Sequence, residues 1–522
     1  MSIGPVALEL PRDLAEQAEI IADHARREGL DFYDTIFEML DFDGMNQVAA
    51  YGGFPQRYPH WRFGMEYERL RKQHAYGLGK IYEMVINNDP CYAYLLNDNA
   101  PVDQKTVMAH VYAHCDFFKN NIWFSRTNRK MIDEMANHAT RIRRHIDKHG
   151  LDAVERFLDV CLSLENLTDP HSVFMRRIAP EHGADQDESG IEHQVVRYPA
   201  KQYMDRYINP PEALAANRQK LTVEHDKPRR IIPMTPHRDV LLFLLKWAPL
   251  EDWQNDVLAM MREEAYYYAP QGQTKIMNEG WATYWHSTMM TRYILQADEL
   301  ITYAEHHAGT LAMGPGRLNP YKIGVELLRD IEDRWNRGRY GKDFDDCKDL
   351  EQRRRWGEDR KVPERVVGKE SPGREKIFEV RKVCNDVTFI DGYLTPEFVE
   401  RYRLFHYRYD PSTNRMVVVD RNFKKIKRQL LFSLTNHAQP FIYVVDGNYA
   451  NRGELYLVHQ HNGVDIDIRF STETLKNVQH IWGRPVHLQA LIDDEMMLFS
   501  FDGEQSKQQK INDALPKPVH AL

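Results

Sequence analysis

Two separated helical signatures constrain this chain more than any other feature. One is Met108-Ala-His110-Val-Tyr-Ala-His114-Cys-Asp116, and the other is Met277-Asn-Glu279-Gly-Trp-Ala-Thr-Tyr-Trp-His286. Histidines four apart stand on one face of a helix, where both imidazoles reach a single divalent ion. Val107, Val111 and Phe118 make that face apolar. Bare imidazoles there require partners, either a metal or hydrogen bonds within the core. Glu279, placed between Asn278 and the run Gly280-Trp281-Ala282, is the expected third ligand. His286 follows seven residues later on the same face, about 10.5 Å along the axis at 1.5 Å per residue. It is expected to line the same cavity, while sharing one ion with Glu279 would strain it.

Spacing alone does not settle the matter, because the chain holds a second such pair, His145 and His149. That pair ends a basic segment, Arg141-Ile-Arg-Arg-His-Ile-Asp-Lys-His-Gly150, where cations at a helix C-terminus are favourable without any metal. Glu264 falls in line with the apolar stripe Trp253, Val257, Met261 and Tyr268. A carboxylate on a buried face serves as a further ligand, a proton acceptor or a helix-end ion pair.

The rest of the sequence bounds the answer. With 522 residues the chain exceeds one ordinary core. Its 42% apolar and 28% charged composition is that of a globular protein. No apolar run approaches the ~20 residues that span a bilayer, and Met1 to Leu30 lacks a signal-type apolar region. The five cysteines are scattered with no C-x-x-C, against a disulfide framework or cysteine zinc site. The expectation is a cytoplasmic protein without a membrane span, and the net charge of −8 gives no drive toward nucleic acid. No phosphate-binding glycine loop, dinucleotide fingerprint, nucleophile elbow or Glu-x-x-His pair is present.

Periodicity predicts an α+β protein. A large, mainly helical N-terminal domain (1–336) contains an irregular polar insertion at about 180–236. A charged connector (337–382) leads to a small α+β C-terminal domain (383–522). Within the first domain, 10–27 and 31–41 read as helical, and Cys91 to Leu96 as a strand. Helices are expected from Val102 to Phe118, which carries the histidine pair, and from Ile276 to Leu300. In the C-terminal domain, Phe423 to Leu434 and Ser471 to Trp482 read as helices. Strands are expected at 441–445, 455–460, 465–469, 486–492 and 496–501, with turns at Asp446-Gly447 and Asn462-Gly463. The Asp465 and Asp467 pair then falls on a solvent-facing strand edge, and Lys424 to Arg428 on a solvated helix face.

Several stretches together resemble the stage V sporulation protein R (SpoVR) family. They are Met108 to Asn121, Arg57-Tyr-Pro-His-Trp-Arg-Phe-Gly64, Val85-Ile-Asn-Asn-Asp-Pro-Cys-Tyr-Ala-Tyr-Leu95, Lys275-Ile-Met-Asn-Glu-Gly-Trp-Ala282, Tyr207-Ile-Asn-Pro-Pro211, Phe389-Ile-Asp-Gly-Tyr-Leu-Thr395 and Trp482-Gly-Arg-Pro-Val-His-Leu488. The resemblance implies a tie to spore cortex peptidoglycan in spore formers and to stress or stationary-phase physiology elsewhere. It also implies a PrkA-type serine kinase and a von Willebrand-like domain protein as partners.

A second resemblance concerns chemistry. A strand, a helix with His110-x-x-x-His114 and a later glutamate helix are similar to the zincin-like core of gluzincin peptidases. That likeness implies His110, His114 and Glu279 as ligands of a divalent metal, zinc by preference, with a fourth position for water. Val111 stands where the catalytic glutamate belongs and can neither accept a proton nor orient water. Glu264, Asp116 or His286 is then needed as the base. Two readings stay open: a metal-dependent hydrolase of a peptide or peptidoglycan-precursor amide, and a non-catalytic scaffold in a kinase-containing complex.

Overall fold

The computed structural model describes residues 8–75, 83–175, 210, 232–233, 235–357 and 371–511. Most of the expected insertion at 180–236 lies outside these residues. The chain divides into two compact units: Met1–Leu162 with Asp252–Gln439, and Ser163–Glu251 with Pro440–Leu522. Among the described residues no helix is long and apolar enough to cross a membrane.

The first unit joins a four-stranded sheet to a helical core. Its strands are β1 (Leu8–Glu9), β2 (Thr35–Leu40), β3 (Glu83–Ile86) and β4 (Cys91–Leu96), in the order β1-β2-β4-β3. β2 runs parallel to β4, while β1 and β3 pair antiparallel at the two ends. The segment 31–41, expected to be helical, thus contains a strand. Thr35-Ile-Phe-Glu-Met-Leu40 gains a full ladder along β4 (Thr35 opposite Cys91 through Leu40 opposite Leu96), a non-local pairing that overrides local propensity.

β4 leads through a short turn into the histidine helix, Pro101–Asn120. Pro101 sits at its first position, where the missing N–H costs nothing. From Val107 to Phe118 every residue is buried, so this helix is surrounded by core on all sides. The glutamate helix, Lys275–Met289, packs against it and is almost as fully buried. It is shorter than the helix expected from Ile276 to Leu300. The α-helix stops at Met289, a π-helical turn spans Met290–Ile294, and a separate helix begins at Leu300.

A third helix, Pro320–Asn336, crosses the glutamate helix at a glycine–glycine contact. A Cβ on Gly280 would lie 2.4 Å from the Gly324 backbone, so both positions must lack side chains. The helix Pro372–Val383 packs on this third helix and carries two buried arginines. Arg374 pairs with the fully buried Glu28, and Arg381 stands 3.6 Å from Asp116. Such pairs fix register more than they stabilise, since desolvation offsets much of their attraction.

The first unit also holds a hairpin of β5 (His406–Asp410) and β6 (Arg415–Asp420). The second unit is built on a five-stranded sheet, in the order β11-β10-β9-β8-β7. Its strands are β7 (Phe441–Tyr449), β8 (Glu454–Gln460), β9 (Val486–Ile492), β10 (Glu495–Phe501) and β11 (Ser506–Lys510). Only β8 and β9 pair in parallel, and the helix Ile468–Trp482 makes the crossover between them. Two turn and strand assignments change here. Asp446-Gly447 lies inside β7 at a register shift, and residues 450–453 form the actual connection to β8. No strand forms at 465–469: residues 465–467 lead into the helix, which begins at Ile468. Asp467 caps it, accepting from Arg469 N at 2.9 Å and Phe470 N at 3.0 Å. Capping chemistry outweighs the alternation of Asp465 and Asp467.

Candidate metal centre

The histidine and glutamate helices present their ligating groups from opposite sides of one small space. Asp386 fixes the start of the glutamate helix, its carboxylate accepting from Ile276 N at 2.8 Å and Met277 N at 2.9 Å. One turn further in, the indole of Trp281 donates to Asp116 Oδ2 of the histidine helix at 2.8 Å. These two anchors and the glycine crossing leave Glu279 little freedom to turn away.

Glu279 Oε2 stands 3.4 Å from His110 Nε2 and 3.6 Å from His114 Nε2, with all three side chains buried. These separations are long for charge-assisted hydrogen bonds. They are close to the roughly 3.3 Å between ligand atoms of a tetrahedral site with bonds of about 2.0–2.1 Å. Glu279 Oε2 is also a buried oxygen without a hydrogen-bond partner. The other carboxylate oxygen accepts from Lys275 Nζ at 2.7 Å.

The far sides of both imidazoles are engaged. His114 Nδ1 lies 2.8 Å from Asn278 Oδ1, and His110 Nδ1 lies 2.9 Å from His286 Nδ1. His286 Nε2 in turn meets His307 Nδ1 at 3.2 Å. With Nδ1–H donated outward on both rings, the two Nε2 lone pairs and the free carboxylate oxygen converge. Such a donor set has no proton among its members and suits a divalent cation. His110, His114 and Glu279 are the residues that fit this group.

The electrostatics follow the same geometry. Burial, aided by the neighbouring His110, pushes His114 down to about 4. Burial alone would raise Glu279, but the adjoining His110 and His114 rings and the Lys275 ammonium outweigh it and hold the group well below the carboxylate range. His286 is held well below the usual histidine value, by burial first and by His110 and His307 next.

The profile described as "SpoVR like protein" matches residues 9–439, and "SpoVR-like C-terminal domain" matches 440–493. The chain belongs to the SpoVR family. The SpoVR relative of Escherichia coli (strain K12), "Uncharacterized protein YcgB", is 29% identical over 493 residues, which cover 89% of each chain. No solved structure matches. All the residues that converge around Glu279 lie inside the larger SpoVR match.

Four of the six residues singled out in this SpoVR sequence come together: His110, His114, Glu279 and His286. The last stands behind His110 and contacts its Nδ1, where it orients the ring. Asp116 and Glu264 do not join them. Asp116 accepts from Asp31 N and Trp281 Nε1 and faces Arg381, so its carboxylate ties the core together. Glu264 pairs with Arg57 at 2.7 Å and His138 at 3.0 Å.

Besides His307, two groups near the centre escaped the sequence reading. Tyr321 stacks 6.2 Å from His110, and its hydroxyl is raised by burial and by the charges of Glu279 and Glu83. Glu83, at the start of the sheet-end strand β3, is raised by burial and feels His110 and Glu279. Neither position carries a motif, and only the fold brings them to the histidines.

Proposed function

We propose that this SpoVR protein is a metal-dependent hydrolase of amide bonds, with His110, His114 and Glu279 holding a zinc-class ion. The observation that carries this reading is the partnerless Glu279 Oε2 set against two Nε2 atoms at 3.4 and 3.6 Å. A divalent ion bound there supplies Lewis acidity, polarising a carbonyl and making water more acidic. Asn278 and His286 hold the imidazoles in the tautomer that presents Nε2 inward. Lys275 offsets part of the Glu279 charge.

The histidine helix supplies no proton acceptor at Val111, which is fully buried. Glu83 takes that role from β3, and the protonated Tyr321 donates to charge developing on the carbonyl oxygen. β4 followed by the histidine helix has the order of the gluzincin core, but the base comes from a strand and not from the helix. The family's tie to the spore cortex favours a peptide or peptidoglycan-precursor substrate. Burial of Val111 at the gluzincin base position favours a second reading, in which the centre is structural and the protein is a scaffold for a PrkA-type kinase and a von Willebrand-like domain protein.

Mass spectrometry for metals, on protein purified without an affinity-tag metal, separates these readings. At least one equivalent is expected in the wild type, and about one equivalent fewer in His110→Ala/His114→Ala. Glu83→Gln should keep the metal and lower turnover of peptides or muropeptide precursors by about 10²–10⁴-fold. Bound metal with no turnover across those substrates would favour the scaffold. A folded wild type that neither holds nor takes up metal would overturn both the centre and the hydrolase.

A further inference from the structure

A second group of ligating side chains lies where the helix Met131–His149 faces the helix Asp252–Gln273. Glu134 and His138, four apart on the first helix, meet Glu263 of the second. One ligand atom from each lies within 4.8 Å of the others. The His138 side chain is fully buried, its Nδ1 3.0 Å from Glu264 Oε1. The second oxygen of Glu264 is 2.7 Å from Arg57 Nη2, and both of those side chains are 6% exposed.

Arg57 pairs with Glu264, and Glu264 accepts the Nδ1–H of His138, so Nε2 is the ring atom left to bind an ion once its proton is displaced. That atom is buried without a hydrogen-bond partner and faces Glu263 Oε2 at 3.5 Å. A carboxylate behind an imidazole is the arrangement that orients metal-binding histidines. Glu263 is 45% exposed and Glu134 half-buried, so an ion has a path from solvent.

We propose that Glu134, His138 and Glu263 form a second, solvent-facing divalent-metal site, with Glu264 as the residue that positions His138. One imidazole and two carboxylates suit zinc, manganese or ferrous iron and not a soft ion such as copper(I). A bound ion relieves the repulsion between Glu134 and Glu263 and cross-links two helices of the first unit. Three neighbours temper the affinity. Asn137 Nδ2 approaches Glu134 Oε2 at 3.4 Å. Asn128 Nδ2 approaches Glu263 Oε1 at 3.4 Å, and the Arg141 charge, although paired with Asp256, reaches Glu263. The competing occupant is a proton. Burial resists it, but the adjoining Glu263 and Glu264 carboxylates raise His138 to about 9.

Cobalt(II) titration followed by visible absorption and metal analysis at about pH 7.5 distinguishes ion from proton. In His110→Ala/His114→Ala, about one cobalt per chain is expected, accompanied by a rise in unfolding temperature. Adding Glu134→Gln/Glu263→Gln should abolish it, and Glu264→Gln should weaken it by about 10–100-fold while leaving every ligand in place. Should the histidine variant fail to fold, the wild type serves, with about one equivalent fewer in Glu134→Gln/Glu263→Gln. Wild-type binding of one cobalt, lost on Glu134→Gln/Glu263→Gln, would uphold this site even if the His110 centre is wrong. Stoichiometry unchanged by Glu134→Gln/Glu263→Gln would overturn it, with His138 then an imidazolium between two carboxylates.

Discussion

His110 and His114 stand on a helix enclosed by core, and their far nitrogens are held by Asn278 and His286. His145 and His149 share the four-residue spacing on a helix with one exposed side. There, His145 pairs with Asp256 at 2.7 Å, and His149 stacks on Trp253 at 5.0 Å between centroids. The outer pair is more engaged than a solvated helix end, yet each ring satisfies itself with a separate neighbour. Among the described residues no third ligand converges on the two rings, and no buried oxygen is left without a partner beside them. What separates the pairs is the tertiary frame that aims a carboxylate at both inner rings at once.

The largest expected effect comes from disturbing that frame. Gly280 adjoins Glu279, and a Cβ there would meet the Gly324 backbone at 2.4 Å. Backbone yields less than a side chain, so Gly280→Ala should cost about 3 kcal/mol or more through overpacking. It should also push Glu279 away from the imidazoles. The check is thermal unfolding together with metal content, both of which should fall. Retained metal at wild-type stability would mean that helix approach does not set the inner geometry.

Burial without convergence can be tested at a third histidine. His459 lies on β8 of the second unit, 8% exposed, with Nδ1 lacking a hydrogen-bond partner. Burial, joined by the charge of His461 and opposed by Asp465, lowers it to about 4. The unfolded chain takes up a proton near 6.5, before the folded protein does, so stability is present above about pH 6.5 and falls toward pH 4. Allowing for solvent screening, the loss is about 1–2 kcal/mol. Denaturation of wild type and His459→Gln at both ends of that window should show the extra loss only in the wild type. An equal loss in both would assign the acid sensitivity elsewhere.

The same distinction explains what could be read from residues alone. The histidine helix, its preceding strand and Glu279 carry dense local patterns: an apolar face, a turn before Pro101 and an odd glutamate among large side chains. Those were legible. β2 was not, because Thr35 to Leu40 becomes a strand through pairing with β4, a partner more than fifty residues away. The break after Met289 was hidden too, since apolar residues continue beyond it without a proline. Within the centre, Glu83, Tyr321 and His307 have no spacing relation to the histidines, so their approach depends on three separate chain crossings. Asp116 and Glu264 illustrate the converse. Both are buried carboxylates, as the apolar stripe implied for Glu264 alone, and arginines and ring N–H groups claim them.

The smallest effect belongs to the outer pair, and it is the sharpest control. The His145 and Asp256 side chains are 20% and 26% exposed, so their attraction is partly screened, and Arg141 also pairs with Asp256. Losing one member of such a cluster costs on the order of 1 kcal/mol or less. His149→Ala gives up a stacking contact with Trp253 of similar size. His145→Ala/His149→Ala should therefore lower the unfolding temperature by a few degrees at most, and by mass spectrometry leave the metal content unchanged. If the double variant instead lost metal while the inner pair could be removed without loss, helix spacing would be the wrong guide. The centre would then belong on the exposed helix, with Asp256 as its carboxylate.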